Sequence, residues 1–144
     1  MSSRSERAVE DFSKGCNCSQ AVFCAFAEDL GLEDKLAIKI ASGFGGGIGR
    51  GGDICGAVTG AVMVLGLKYF LPEADIQQSK AKVYEIVKEF KKMFKKRHGS
   101  IVCRELVGCN LSTEEGFENF LKQDLHNNVC VGLVKDAVEI VEKL

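Results

Sequence analysis

A glycine-rich stretch that ends at a cysteine is the feature of this chain with the clearest chemical content. Residues 43–60 read GFGGGIGRGGDICGAVTG, so a flexible backbone precedes an apolar helix. Asp53 predicts the N-cap of that helix, because a carboxylate accepts the free N–H groups of a first turn. Cys55 would then lie in the first turn, where the helix dipole favours a thiolate of lowered pKa. The stretch therefore predicts thiol chemistry, nucleophilic, redox or metal-binding, without indicating a substrate.

Three further cysteines follow predicted helix caps in the same way. They are Cys18 after Asn17, Cys103 three residues after Ser100, and Cys130 after Asn127 or Asn128. Free N–H groups at a helix N-terminus stabilise negative charge, so each position can lower a thiol pKa. The alternative is that cysteine packs as a small buried hydrophobe. Four cysteines in one kind of position favour chemistry over packing.

Helical periodicity runs along almost the whole chain, and no alternating pattern of useful length predicts a strand. The predicted helices cover residues 3–14, 17–30, 34–42, 54–71 and 73–96, a short turn that contains Cys103, residues 112–121, and the segment from Asn127 or Asn128 onward. Asn17 with Gln20, and the run from Ser112 to Glu115, have the pattern of capping boxes. Without a repeat or a linker, residues 1–144 predict one all-α domain, a single-domain helical bundle of about six to seven helices.

Composition narrows the classes of function. The net charge of −1 gives no reason to expect a nucleic-acid partner. The apolar stretch 54–67 is shorter than the roughly 20 residues of a membrane span and predicts a buried core helix. Its small residues allow close packing with a neighbouring helix or with a second subunit in a homodimer. The polar first fifteen residues do not resemble a secretory signal, so we expect a cytoplasmic protein with reduced cysteines.

The segment CGAVTG, residues 55–60, resembles the CGAxxG signature of the C_GCAxxG_C_C proteins, a family classed as redox-active. The resemblance extends from Asn17 to Cys130. It implies that the characteristic cysteines are Cys18, Cys55, Cys103 and Cys130, the four that the capping pattern selects. It also implies a redox class without a particular reaction. A similar cysteine-bearing region is associated with split-Soret cytochromes, which raises the possibility of an iron–sulfur cluster.

Two mechanisms can use these four thiols. In the first, which needs no cofactor, Cys55 attacks a disulfide or an oxidant supplied by an unknown redox partner or small molecule, and Cys18 resolves the product. In the second, all four cysteines hold zinc or an iron–sulfur cluster, although the chain lacks a CxxC pair. A third reading is a helical dimeric module whose cysteines only pack. Both chemical readings predict one cluster of the four, with Cys18 and Cys55 closest, and with Cys16, Cys24 and Cys109 outside it or at its edge.

The glycine loop also predicts an anion or cofactor site. Gly49, Arg50, Gly51 and Gly52 are the candidates, because backbone N–H groups before a helix can surround an anion. Arg50 could also assist an anionic ligand, or it could simply be solvated. The loop lacks the GK[ST] ending of a P-loop, and no strand precedes it. His98 and His126 belong to no ligand motif, and we expect both at the surface.

Overall fold

The computed structural model describes residues 3–144, and helices form almost all of its regular structure. The helices are α1 (Arg4–Ser13), α2 (Cys18–Ala27), α3 (Asp34–Ala41), α4 (Gly56–Tyr69), α5 (Ile76–His98), α6 (Cys103–Val107), α7 (Glu114–Lys122) and α8 (Val131–Lys143). A 3₁₀ turn (Ser42–Phe44) follows α3, and a π-helical turn (His126–Cys130) precedes α8. Residues 3–144 contain no strand, only one isolated β-bridge. The prediction of an all-α, single-domain bundle is confirmed.

Helix α4 occupies the middle of the bundle and packs against α2, α5 and α8. It carries no charged residue before Lys68, which suits an element surrounded by protein. Gly60 permits the close approach of α2, because a Cβ atom at this position would lie 2.7 Å from the Ser19 carbonyl oxygen. No helix within residues 3–144 has both the length and the apolarity that a membrane crossing requires.

The predicted start of α2 is confirmed. Asn17 Oδ1 accepts a hydrogen bond from the Gln20 N–H, and Gln20 Oε1 accepts one from the Asn17 N–H, both at 2.9 Å. This capping box makes Cys18 the first residue of the helix. Asn17 also donates from Nδ2 to the Ser42 carbonyl oxygen, which ties the start of α2 to the end of α3.

The prediction that Asp53 caps α4 is wrong. The helix begins at Gly56, and Cys55 itself is the N-cap residue. The Asp53 carboxylate instead lies 3.5 Å from the Arg104 guanidinium. This difference arises because the loop continues in an extended conformation through Ile54, which forms the antiparallel β-bridge with Val102.

The predicted cap of the last helix is also wrong. Asn127 donates to the Asp124 carboxylate, and Asn128 donates to the Gln123 carbonyl oxygen. The π-helical turn runs directly into α8, and Cys130 already has helical dihedral angles. Because the preceding turn supplies acceptors for the first N–H groups of α8, Cys130 does not lie at a free helix terminus.

The N-cap residues of α6 and α7 lie one or two positions after the residues that the sequence predicts. Ser100 Oγ accepts from the Val102 N–H at 2.9 Å, but Val102 is the N-cap of α6 and Cys103 its first residue. Thr113, rather than Ser112, caps α7 by accepting from the Gly116 N–H at 3.0 Å. The predicted position of Cys103 in a first turn therefore holds, although the capping group is different.

Backbone hydrogen bonds connect the end of the glycine loop, at Cys55, to the start of α6, at Cys103. The Cys55 N–H donates to the Ile101 carbonyl oxygen at 2.8 Å, and the Cys103 N–H donates to the Asp53 carbonyl oxygen at 2.6 Å. Gly47 lies against this connection with a φ of 73°, and a Cβ atom there would be 2.7 Å from Cys103 Cβ. Only glycine satisfies both the left-handed backbone and the close approach.

Candidate functional site

The four cysteines selected from the sequence line one cavity of about 330 Å³. Cys18 comes from the first residue of α2, Cys55 from the N-cap of α4, Cys103 from the first residue of α6, and Cys130 from the end of the π-helical turn. The structure therefore brings these four residues together from four separate elements. Cys16 also lines the cavity, whereas Cys24 and Cys109 do not.

Cys18 and Cys130 are the two cavity cysteines whose thiols most affect each other's ionisation. The neighbouring Cys18 thiol lowers the pKa of Cys130, against the opposing effect of burial. The Cys130 thiol is in turn the largest of several causes that raise the pKa of Cys18 well above its ordinary value, followed by burial. The pair therefore loses one proton more easily than the other, and the Cys18 S–H stabilises a Cys130 thiolate. Cys55, the partner that the sequence predicts for Cys18, has a smaller effect on the pKa of Cys18 than Cys130 has.

Cys55 does not have the lowered pKa that the sequence predicts. Burial raises the pKa of its thiol from 9.0 to about 11, although the nearby N–H groups of Ala57 and Val58 lower it in part. The sulfur accepts no capping hydrogen bond at the start of α4, and the Val58 N–H donates instead to the Cys55 carbonyl oxygen at 3.0 Å. The prediction is wrong because desolvation of a side chain that is only 3% exposed outweighs these two N–H groups.

Cys103 is also a protonated thiol near neutral pH. Burial, with smaller contributions from the neighbouring Cys55 and Cys130 thiols, raises its pKa to about 12. Outside the four, burial raises the pKa of Cys16, and it raises that of Cys24 to about 12. Among these cysteines Cys130 alone combines a place on the cavity with a lowered pKa.

The rest of the cavity wall is largely apolar. The residues that supply it are Phe12, Val107, Leu111, Phe117, Phe120, Leu121 and Leu133. Arg50 and His126 add nitrogen-bearing side chains. The Arg50 guanidinium carbon lies 4.2 Å from the centre of the Phe117 ring, and the His126 ring stacks on Phe12 at 4.0 Å. The cavity therefore combines thiols, aromatic rings and a fixed cation.

His126 is the residue that the sequence reasoning missed. It is half-buried rather than at the surface, and it lies four residues before Cys130. Helical spacing places residues four apart on one face, so this spacing was the available signal. His98 is also not a surface residue, because its side chain is only 20% exposed and its Nε2 lies 2.9 Å from Asp136 Oδ2.

The predicted anion site on the glycine loop is not supported by the backbone. The N–H groups of Gly49, Arg50, Gly51 and Gly52 all donate to carbonyl oxygens within the loop itself. They are therefore unable to surround an anion. Of these four residues, only Arg50 lines the cysteine cavity, and it does so through its side chain.

A metal site is likewise not formed by these side chains. Within the part of the chain that the structure describes, no three His, Cys, Asp or Glu side chains are arranged to hold a metal ion. Zinc ligation requires sulfurs about 2.3 Å from one ion, so four thiols on the wall of one cavity are not sufficient. The residues as placed do not fit a single zinc ion.

Comparison with known proteins agrees with the redox class. Residues 16–144 match the family described as "Putative redox-active protein (C_GCAxxG_C_C)". A protein of Archaeoglobus fulgidus named "Uncharacterized protein" is 28% identical over an alignment of 145 positions, and the alignment covers 93% of this chain and 87% of the relative. No solved structure matches the chain. Since the family match spans most of the chain and includes Cys18, Cys55, Cys103 and Cys130, this protein belongs to the C_GCAxxG_C_C family.

Proposed function

We propose that this protein carries out thiol–disulfide exchange, with Cys130 as the attacking thiolate and Cys18 as the resolving thiol. The observation that carries the proposal is that Cys18 and Cys130 line one cavity, in which the Cys18 thiol lowers the pKa of Cys130. A thiolate is the reactive form of cysteine, and a neighbouring thiol is what a resolving step needs. Membership of a redox-active family supports the same class of chemistry.

The reaction proceeds in two exchanges. The Cys130 thiolate attacks one sulfur of a substrate disulfide, which forms a mixed disulfide and releases the other half as a thiolate. Cys18 then loses its proton to solvent and attacks the Cys130 sulfur, which forms the Cys18–Cys130 disulfide and releases the second thiolate. The substrate gains two electrons and the protein loses two. A reducing compartment can restore the dithiol, in keeping with the cytoplasmic location expected from the sequence.

Cys55 and Cys103 have a different role in this proposal. Burial keeps both as thiols near neutral pH, so neither is suited to the first attack. Their place on the same cavity lets them exchange with the Cys18–Cys130 disulfide in a later step. This assignment replaces the attacking role that the sequence predicts for Cys55.

Single substitutions test the order of these steps. The reduced protein is mixed with one equivalent of 2,2′-dithiodipyridine, a neutral aromatic disulfide whose released thione absorbs in the near ultraviolet. Wild type should release two thiones for each disulfide consumed. Cys18→Ser should release one and retain a mixed disulfide on Cys130, whereas Cys130→Ser should lose the fast phase. Cys109→Ser, which changes a cysteine outside the cavity, should behave as wild type.

Two outcomes would contradict the proposal. One is an unchanged fast phase in Cys130→Ser. The other is slow reaction of all seven cysteines at one rate, and only under unfolding conditions, as expected of thiols that merely pack.

A further inference from the structure

The cysteine cavity carries a positive charge that no carboxylate balances. Arg50 lines the cavity, and neither Asp nor Glu does. Within residues 3–144, Arg50 forms no ion pair with a carboxylate. Its guanidinium instead rests on the face of Phe117. A guanidinium held over an aromatic ring at a cavity wall retains N–H groups that can bind an anion.

The backbone at Arg50 is unusual for a residue with a side chain. Its φ is 61°, in the left-handed region that normally favours glycine. Ile48 in the same loop has a φ of 64°, but of these two residues only Arg50 lines the cavity. Strain of this kind persists where the surrounding structure holds it, and it is concentrated at functional sites.

Arg50 and Cys130 line the same cavity. Arg50 is not among the groups that shift the pKa values of the four thiols, so its guanidinium is not committed to a thiolate. A ligand in the cavity can place an anionic group at Arg50 and a sulfur at Cys130. The apolar wall between them includes Phe117 and Phe120 and suits an aromatic or aliphatic body. A volume of about 330 Å³ lies at the lower end of the roughly 300–1,000 Å³ typical of small-molecule sites.

We infer that the substrate is a small, largely apolar disulfide that carries a carboxylate or similar anionic group, bound at Arg50 while Cys130 attacks its sulfur. This inference rests on the proposed function and adds a substrate class to it. The exchange is the one described above: the anionic disulfide gains two electrons and leaves as two thiolates, and the protein leaves as the Cys18–Cys130 disulfide. Arg50 takes no part in bond making and serves as a binding residue.

Three disulfides of different charge test the inference on the full chain. The probes are 5,5′-dithiobis(2-nitrobenzoate), which is aromatic and anionic, 2,2′-dithiodipyridine, which is aromatic and neutral, and cystamine, which is cationic. Second-order rates of the fast phase are measured for wild type and Arg50→Gln. The substitution should slow the anionic disulfide about tenfold, a factor equivalent to about 1.4 kcal/mol, and change the neutral one less than about twofold. Cystamine should react no more slowly with Arg50→Gln than with wild type.

Two further variants keep the test independent of folding and of net charge. Arg50→Gly removes the guanidinium at a backbone position that glycine adopts without strain, so it should fold and show the same selective loss. Arg7→Gln makes the same change in net charge at an exposed site on α1 and should leave all three rates unchanged.

Equal slowing of the anionic and neutral probes, or slowing of neither, would overturn the inference. The result is separable from the fate of the proposed function. Loss of the fast phase with the neutral probe in Cys130→Ser supports the exchange chemistry whatever Arg50 does, and its retention contradicts that chemistry.

Discussion

Alanine at Gly47 tests how tightly the glycine loop is fitted to the cysteine cavity. Gly47 has a φ of 73°, and a Cβ atom there would lie 2.7 Å from Cys103 Cβ and 2.7 Å from the Asp53 nitrogen. Gly49 offers a matched control in the same loop. Its φ is 58°, but a Cβ atom there would meet nothing within 4 Å. Both substitutions therefore place an alanine in a left-handed conformation, but only Gly47→Ala also brings its Cβ atom into a steric clash.

The expected magnitudes follow from these two costs. A left-handed conformation costs an alanine roughly 1–2 kcal/mol, so Gly49→Ala should lower the free energy of unfolding by about that amount. Forcing an extra methyl group into a packed site typically costs about 1–3 kcal/mol more. Gly47→Ala should therefore lose about 2–5 kcal/mol in total, and Cys103 should be displaced from the cavity wall.

Urea unfolding of the reduced wild type and of both variants measures the difference. The free energies are compared only if the dependence on denaturant is the same for all three. The alkylation rate of Cys103, followed by mass spectrometry of its peptide, should rise in Gly47→Ala and stay unchanged in Gly49→Ala. An equal loss of stability in the two variants would refute the close fit of loop and cysteine.

Three other predictions concern stability. Because burial raises the pKa of Cys55 from 9.0 to about 11, the unfolded chain loses this proton first, and this thiol should contribute a fall in the free energy of unfolding of about 1.4 kcal/mol per pH unit between those values. Cys24 and Cys103, whose pKa values burial raises to about 12, add to the same slope. Below pH 9 this thiol should have no effect, and Cys55→Ser should reduce the alkaline slope; an unchanged slope in that variant would argue against the raised pKa. Gly60→Ala should destabilise the protein by about 1–3 kcal/mol through its contact with Ser19, whereas Gly66→Ala, in the same helix with open space around it, should stabilise it by about 0.5–1 kcal/mol in thermal unfolding. Asn17→Ala should cost about 1 kcal/mol in the same measurement, because it removes the capping box of α2, and an unchanged melting temperature would contradict that role.

The helices and the start of α2 could be predicted from local patterns. Apolar periodicity marks helical segments without knowledge of their partners, and the spacing of Asn17 and Gln20 indicates reciprocal backbone bonds that form within one turn. The four cysteines were selected by a similar local argument. It succeeded for Cys18 and Cys103, which do begin helices.

The pairing and the ionisation of the thiols could not be predicted from local patterns. Cys130 lies beside Cys18 because a π-helical turn leads into α8, and no residue in that segment indicates such a turn. The pKa of Cys55 depends on burial by helices distant in sequence, which outweighs the N–H groups that the local pattern did predict. Arg50 could be named as a candidate anion-binding residue, but the sequence does not indicate that it lines the cavity of the cysteines.

Mapping the first disulfide that forms is the most direct test of the central claim. The reduced wild-type protein is treated with less than one equivalent of 2,2′-dithiodipyridine, the remaining thiols are blocked in acid, and the linked peptides are identified by mass spectrometry. We expect a link between Cys18 and Cys130 as the first product. A first link between Cys18 and Cys55, or between cysteines outside the cavity, would contradict the assignment of Cys130 and Cys18 as the reactive pair.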